Sequence, residues 1–148
     1  MTRIVLDTNV LIYFYDHNSP EKQTRAREIV TRLAQSRTGC LSAQTLVEFI
    51  TAIMRKLKPP FSAAEALIEA SQLAGVFQVF DLTQNIVLEA ARGVRDHQLA
   101  YYDAQIWAAA RLNQVPLIFS EDFQDGQLLE GVRFINPFSH AFNVDTWI

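Results

Sequence analysis

Two rhythms of apolar residues alternate along this chain. Short, mostly apolar runs cover residues 3–6, 39–42, 76–80, 115–119 and 132–135. At that length, and with their β-branched and aromatic residues, they read as strands buried on both faces. The stretches between them carry apolar residues at helical spacing: 9–15, 20–37, from 42 or 44 to about 57, a helix opening near 63, then 83–94 and 102–113. Local punctuation agrees. Pro20 suits a first helical turn, and Glu21 adds an acid where the helix dipole favours one. Pro59-Pro60 stops the third helix, and Ser62-Ala63-Ala64-Glu65 is a capping-box pattern for the fourth. Strands alternating with helices predict an α/β architecture, a mostly parallel central sheet of about four to five strands flanked by helices. No repeat, linker or low-complexity segment divides residues 1–148, which read as one domain. The aromatic tail 136–148 (Phe138, Phe142, Trp147) is expected to pack back onto it.

Against this pattern four acidic positions stand out. Asp7 ends the first apolar run, where ligands bind in open α/β sheets. Its plainer reading, shared with Asn9, is a cap for the following helix. Glu48 lies in an otherwise apolar helix, with Gln44, Thr45, Thr51 and Ala52 one turn away as a small polar strip. A surface glutamate reads the same way. Asp103 opens an alanine-rich helix behind Tyr101-Tyr102, either as an acid favoured at a helix start or as a carboxylate at the mouth of a closely packed helix. Ser120-Glu121-Asp122-Phe123-Gln124-Asp125-Gly126 follows the apolar run ending at Phe119, again past a strand end, or simply as an acidic turn.

Each plain reading works alone, but four at once are harder to accept. Carboxylates that converge without a cation repel one another and raise each other's pKa. A hard divalent ion resolves the conflict. All-oxygen ligands suit Mg²⁺ or Mn²⁺, and the lack of any His/Cys cluster argues against zinc. One or two such ions would generate a hydroxide-like water and stabilise an in-line attack on a phosphodiester, so no side-chain nucleophile is required.

Bulk properties narrow the class. At 49% apolar and 20% charged the chain should fold rather than stay disordered. Its longest bulky apolar run, 10–15, is far short of the ~18 residues of a membrane span. The N-terminus does not read as a signal peptide, and the single Cys40 has no partner for an internal disulfide, so a reducing cytoplasm is the expected setting. The net charge of −3 argues against a generally basic nucleic-acid binder. Its distribution is uneven: residues 1–60 hold nine Lys/Arg and five acids, leaving that part at +4 and the remainder at −7. Arg25, Arg27, Arg32, Arg55, Lys56 and Lys58 are therefore candidates for meeting phosphates. Tyr13, Tyr15, Tyr101 and Tyr102 are candidates for stacking on an unpaired base, although most tyrosines of this kind simply pack.

Asp7-Thr8-Asn9-Val10-Leu11, Glu48, Tyr101-Tyr102-Asp103-Ala104 and Ser120-Glu121-Asp122, in this order, closely resemble the PIN-domain ribonucleases, most of all the VapC-type toxins of bacterial toxin–antitoxin pairs. The resemblance runs over essentially the whole chain. It implies a doubly wound sheet and a Mg²⁺- or Mn²⁺-dependent endoribonuclease acting on single-stranded RNA. It also implies an antitoxin partner and a homodimer. The family's acidic quartet carries over onto Asp7, Glu48, Asp103 and Asp122, with Asp125 a competitor for the fourth place that spacing cannot eliminate. Asn9 and Ser120 resemble the family's supporting polar positions.

Two other readings compete. A haloacid-dehalogenase-type phosphatase also begins with a strand ending in Asp, but it wants a second Asp where this chain has Asn9, and a downstream Lys where none follows Lys58. A non-catalytic interaction module would use the acids to bind a cation structurally. The segment 16–37 and the third and fourth helices, as exposed amphipathic elements, are the expected docking surfaces for a partner.

Overall fold

In the computed structural model, which describes residues 1–148, the first apolar run becomes strand β1 (Ile4–Leu6), with all three residues fully buried. Alternate side chains of a strand point to opposite faces. Ile4 and Leu6 accordingly join one apolar cluster and Val5 joins a second. The fold is built on that division.

The chain continues through α1 (Thr8–Tyr13), α2 (Pro20–Ser36), β2 (Gly39–Ser42), α3 (Ala43–Arg55) and α4 (Ala63–Val76). It then runs through β3 (Gln78–Phe80), α5 (Gln84–His97), α6 (Tyr101–Leu112), β4 (Leu117–Phe119), β5 (Leu128–Leu129), β6 (Val132–Ile135) and α7 (Val144–Trp147). The strands form one sheet in the order β3-β2-β1-β4-β6-β5. Every pairing is parallel except β5 with β6. The first cluster takes Val10, Leu11, Ile29, Leu33, Phe49, Ile53 and Leu73 from α1 to α4. The second takes Ile86, Ala90, Trp107 and the alanines of α6. Fully burying side chains such as Leu6 or Phe49 is worth roughly 1.5–3 kcal/mol each.

Close approaches fix how the layers sit. A Cβ at Gly93 on α5 would meet the Trp107 ring of α6 at 2.7 Å, and one at Gly39 would meet the Phe77 ring at 2.5 Å. Neither position has room for a side chain unless a buried ring moves. The capping box at Ser62 and Glu65 is present as predicted.

The structure departs from the sequence reading in a few places. The sheet has six strands, not four to five. The extra strand is β5, joined to β6 by Glu130-Gly131, both with positive φ (48° and 85°), as a tight two-residue hairpin demands. α5 runs on to His97 before Gln98 turns left-handed, and α4 extends to Val76, shortening β3. The aromatic tail does pack back: Phe142 is buried in the first cluster, with Phe138 and Trp147 against it, and it ends in the short α7. No helix is long and apolar enough to cross a membrane.

Candidate active site

Asp7 sits where β1 ends and α1 begins, and its two carboxylate oxygens are held by different elements. Its Oδ1 accepts from Thr8 N at 2.7 Å, capping α1. Its Oδ2 accepts from Ser120 Oγ at 2.6 Å, just past the end of the neighbouring β4. Ser120 is fully buried, so this bond locks the carboxylate from behind. Thr8 Oγ1 donates to Glu48 Oε2 at 2.8 Å, and Gln44 Nε2 donates to Glu48 Oε1 at 3.1 Å, one helical turn away on α3. Asn9 Nδ2 donates to Ser120 Oγ at 3.3 Å and to Asp122 Oδ2 at 3.1 Å. Asp122 N donates to the same serine oxygen. The Asp7-Thr8-Asn9 tripeptide therefore ties three carboxylates together through consecutive side chains.

Asp103, in the first turn of α6, completes the group. Burial raises its pKa, and the charges of Asp122 and Glu48 raise it further. Asp7 shows the same strain more strongly. Burial outweighs its bonds from Ser120 and Thr8, and with Asp122 and Glu48 nearby its pKa is pushed up to about 6. None of the chain's ion pairs involves Asp7, Glu48, Asp103 or Asp122. Asn9 Oδ1 is buried beside them without a partner. No three Asp, Glu, His or Cys side chains close into a cage that would clasp an ion unaided.

The remaining candidates separate cleanly. Asp125 stands outside the group, because its Oδ1 accepts from Asn136 N at 2.8 Å and braces the start of the tail. The basic candidates are not gathered at the carboxylates. Arg25 donates to Pro137 O and lies over Phe142, Arg27 donates to Phe14 O, and Arg32 pairs with Asp145 and donates to Ile148 O. These arginines hold the chain to itself. Arg55, Lys56 and Lys58 are exposed, but at or beyond the far end of α3, and Arg55 and Lys56 lie about 10–12 Å along the axis from Glu48. Tyr13 and Tyr15 are engaged by Glu121 and Glu69, whereas Tyr101 and Tyr102 beside Asp103 remain exposed. A groove of about 890 Å³ between β3 and α5 contains none of the four acids. Thr8 and Gln44 were not singled out as supports from the sequence, although Gln44 lies at the i−4 spacing from Glu48 that signals a helical hydrogen bond.

The family model of the PIN domain matches residues 4–124, a span that includes Asp7, Glu48, Asp103 and Asp122. The chain belongs to the PIN-domain family. Solved structures of similar fold agree. A toxin–antitoxin complex from Klebsiella pneumoniae has a TM-score of 0.66 at 19% identity, covering 91% of this chain and 98% of that one. Mycobacterium tuberculosis VapC20, described as a sarcin–ricin-loop-cleaving toxin, has a TM-score of 0.64 at 22% identity, covering 88% and 98%. A DNA-bound VapBC from Salmonella typhimurium has a TM-score of 0.63 at 19% identity, covering 90% and 97%. No curated protein matches the chain at a significant level. Membership of the PIN domain sets the phosphatase alternative aside, in keeping with Asn9 where that chemistry wants an acid.

Proposed function

We propose that this PIN domain is a Mg²⁺- or Mn²⁺-dependent endoribonuclease that hydrolyses single-stranded RNA, and that it is the toxin of a toxin–antitoxin pair. One observation carries the reading: four carboxylates converge with no cation of the protein to balance them, and burial pushes Asp7 up to about 6. When bound, one or two divalent ions supply an ionised water and neutralise the charge that develops on the phosphate. Asp7 and Asp103 are the primary ligands in this reading, and Glu48 and Asp122 hold the ion or its waters. Ser120 and Thr8 fix the two oxygens of Asp7, and Gln44 and Thr8 fix those of Glu48. Asn9 fixes Asp122 and leaves its own oxygen free for a water. The side chains thus orient and bind while the nucleophile is a water, and the exposed Tyr101 and Tyr102 offer faces for unpaired bases.

The toxin part of the proposal draws support from the Klebsiella and Salmonella neighbours, which are themselves toxin–antitoxin complexes. It also fits the exposed apolar residues Val47 on α3 and Leu67 and Ile68 on α4, the kind of surface an antitoxin helix covers. A homodimer in a cytoplasmic setting belongs to the same reading and rests on the family resemblance.

The test is cleavage of an RNA pool, rich in structured loops, by purified partner-free protein and by Asp7→Asn, with Mg²⁺, Mn²⁺ or EDTA. Cleavage that requires metal and vanishes in the variant is expected. A folded, metal-supplemented, partner-free protein that cuts no RNA would favour the non-catalytic module instead.

A further inference from the structure

Glu121 lies between Ser120 and Asp122 but is tied elsewhere. Tyr13 Oη donates to its Oε1 at 2.5 Å, and Lys22 Nζ donates to its Oε2 at 2.8 Å. Lys22 also donates to Tyr13 Oη at 3.2 Å, which closes a triangle. Aromatic rings back it. Tyr13 meets Phe138 edge-on with centroids 4.9 Å apart, and Lys22 Nζ lies 4.7 Å from the centre of the Tyr13 ring. Burial and the bond to Glu121 push the Tyr13 phenol up, so it keeps its proton to donate. The bond to Glu121 likewise pushes Lys22 up, so it stays an ammonium. The three residues come from α1, α2 and the loop after β4, and the tail supports them.

We propose that Tyr13, Lys22 and Glu121 form a clamp that positions Asp122 for metal binding and holds Glu121 itself out of the site. The inference rests on the metal-dependent reading above. Asp122 is exposed, and a single side-chain donor, Asn9, reaches its carboxylate. The loop that carries it is therefore held at three points. Ser120 is anchored on Asp7, Phe123 stacks on Phe134 at 4.0 Å, and Glu121 is pinned by the clamp. With the clamp open, Asp122 is ordered by only two of the three. Glu121, one methylene longer, then becomes a competing carboxylate next to the ion. Lys22 neutralises that charge at its source. Tyr13 and Lys22 are thus positioning residues that touch neither ion nor RNA.

The experiment is calorimetric titration of Mn²⁺ alone into the full-length protein, with melting temperature recorded in parallel. Tyr13→Phe keeps the ring against Phe138 and removes only the donor. It and Lys22→Met are expected to weaken Mn²⁺ binding by about tenfold, the low end for partners that stand behind metal ligands. Lys22→Arg should recover most of the loss. Arg25→Met, on the same helix but bonded to Pro137 O, should lower the melting temperature without moving the Mn²⁺ affinity. Clamp variants that bind Mn²⁺ as wild type does, whatever their melting temperature, would overturn the clamp and leave the metal reading standing. A wild type that takes up no Mn²⁺, or no more than Asp7→Asn does, would remove the metal reading and the clamp together.

Discussion

Two acidic clusters in this molecule are built from similar residues and behave in opposite ways. On the α5–α6 side, Glu89, Asp96 and Glu130 are interleaved with Arg92, Arg95, Arg111 and His97. Arg92 alone reaches all three acids, and Arg111 reaches Glu89 at 2.8 Å. Hydrogen bonding to His97 and to Arg92 holds Glu130 below the usual carboxylate range, and Arg95 does the same for Asp96. At the strand ends, Asp7, Glu48, Asp103 and Asp122 have hydroxyls, amides and one another. There burial pushes the carboxyls of Asp7 and Asp103 up. The difference shows where the chain has completed its own electrostatics and where it has left them for something else to complete. The first cluster fastens a helix pair to a hairpin. The second holds carboxylates in place without neutralising them, which serves a site better than it serves stability.

The comparison breaks first at activity. Asp103→Asn removes one uncompensated charge and little packing, so the fold should survive. RNA cleavage with Mg²⁺ should fall by more than about a hundredfold, because even the partners behind metal ligands are worth roughly 10- to 100-fold. Circular dichroism alongside single-turnover cleavage checks both halves. A well-folded variant with near-normal cleavage would mean the acid cluster is not the reaction centre.

The next largest effect is on stability, and it runs against intuition. Asp7 titrates at about 6 in the folded protein against 3.8 for its ordinary value. Below 3.8 both states hold the proton and the carboxyl costs nothing. As pH rises from there to about 6, the unfolded chain loses its proton first, so the metal-free protein loses stability, and above that the penalty is constant. A shift of this size corresponds to at most about 3 kcal/mol. Asp7→Asn should therefore stabilise the metal-free protein in urea melts at pH 7.5 and do little at pH 4. Saturating Mg²⁺ should stabilise wild type and leave the variant where it was. A wild type whose Asp7-dependent stability rises between pH 4 and 7 would contradict the assignment of Asp7 as an uncompensated carboxylate.

In the compensated cluster the signs reverse. Glu89 is 14% exposed and accepts from Arg92 and Arg111 together. Glu89→Gln should destabilise by about 1 kcal/mol, since it leaves two guanidinium groups facing a neutral amide. The loss should shrink in high salt, and cleavage and Mn²⁺ binding should not change. Glu89 and Asp7 would then show opposite effects of the same kind of substitution.

Much of this contrast is legible in the sequence, and the exceptions have physical reasons. The apolar runs around Ile4–Leu6 and Leu117–Phe119 are buried on both faces, so their sequence alone marks them, and an acid directly after such a run is conspicuous. Asp7 and the Ser120–Asp122 loop stood out for that reason. β5 escaped because two residues carry no periodicity, and of its turn pair only Gly131 is a residue type that signals positive φ, Glu130 being an unusual one there. Arg25 and Arg27 read as free cations because a sequence does not reveal that the carbonyls of Pro137 and Phe14 await them. The triangle of Tyr13, Lys22 and Glu121 joins residues up to 108 positions apart, beyond any local pattern. The two sheet faces, by contrast, follow from strict alternation along β1.

The smallest effect tests the ambiguity that spacing alone left open. Asp122 and Asp125 are three residues apart on one loop, and both are exposed. Their partners differ in kind. Asp122 meets Asn9 and, through its backbone, Ser120, both already bound into the cluster. Asp125 accepts one backbone N–H, from Asn136, at 2.8 Å, at the point where β6 gives way to the tail. Asp125→Asn keeps an oxygen to accept that bond but loses the charge that strengthens it, so it should cost about 0.5–1 kcal/mol and leave Mn²⁺ affinity within twofold of wild type. Asp122→Asn should do the reverse, with little change in melting temperature and a clear loss of Mn²⁺ binding. If the two variants exchanged these behaviours, the boundary between the carboxylates that complete the fold and those that await an ion would run through this loop on the other side of Phe123.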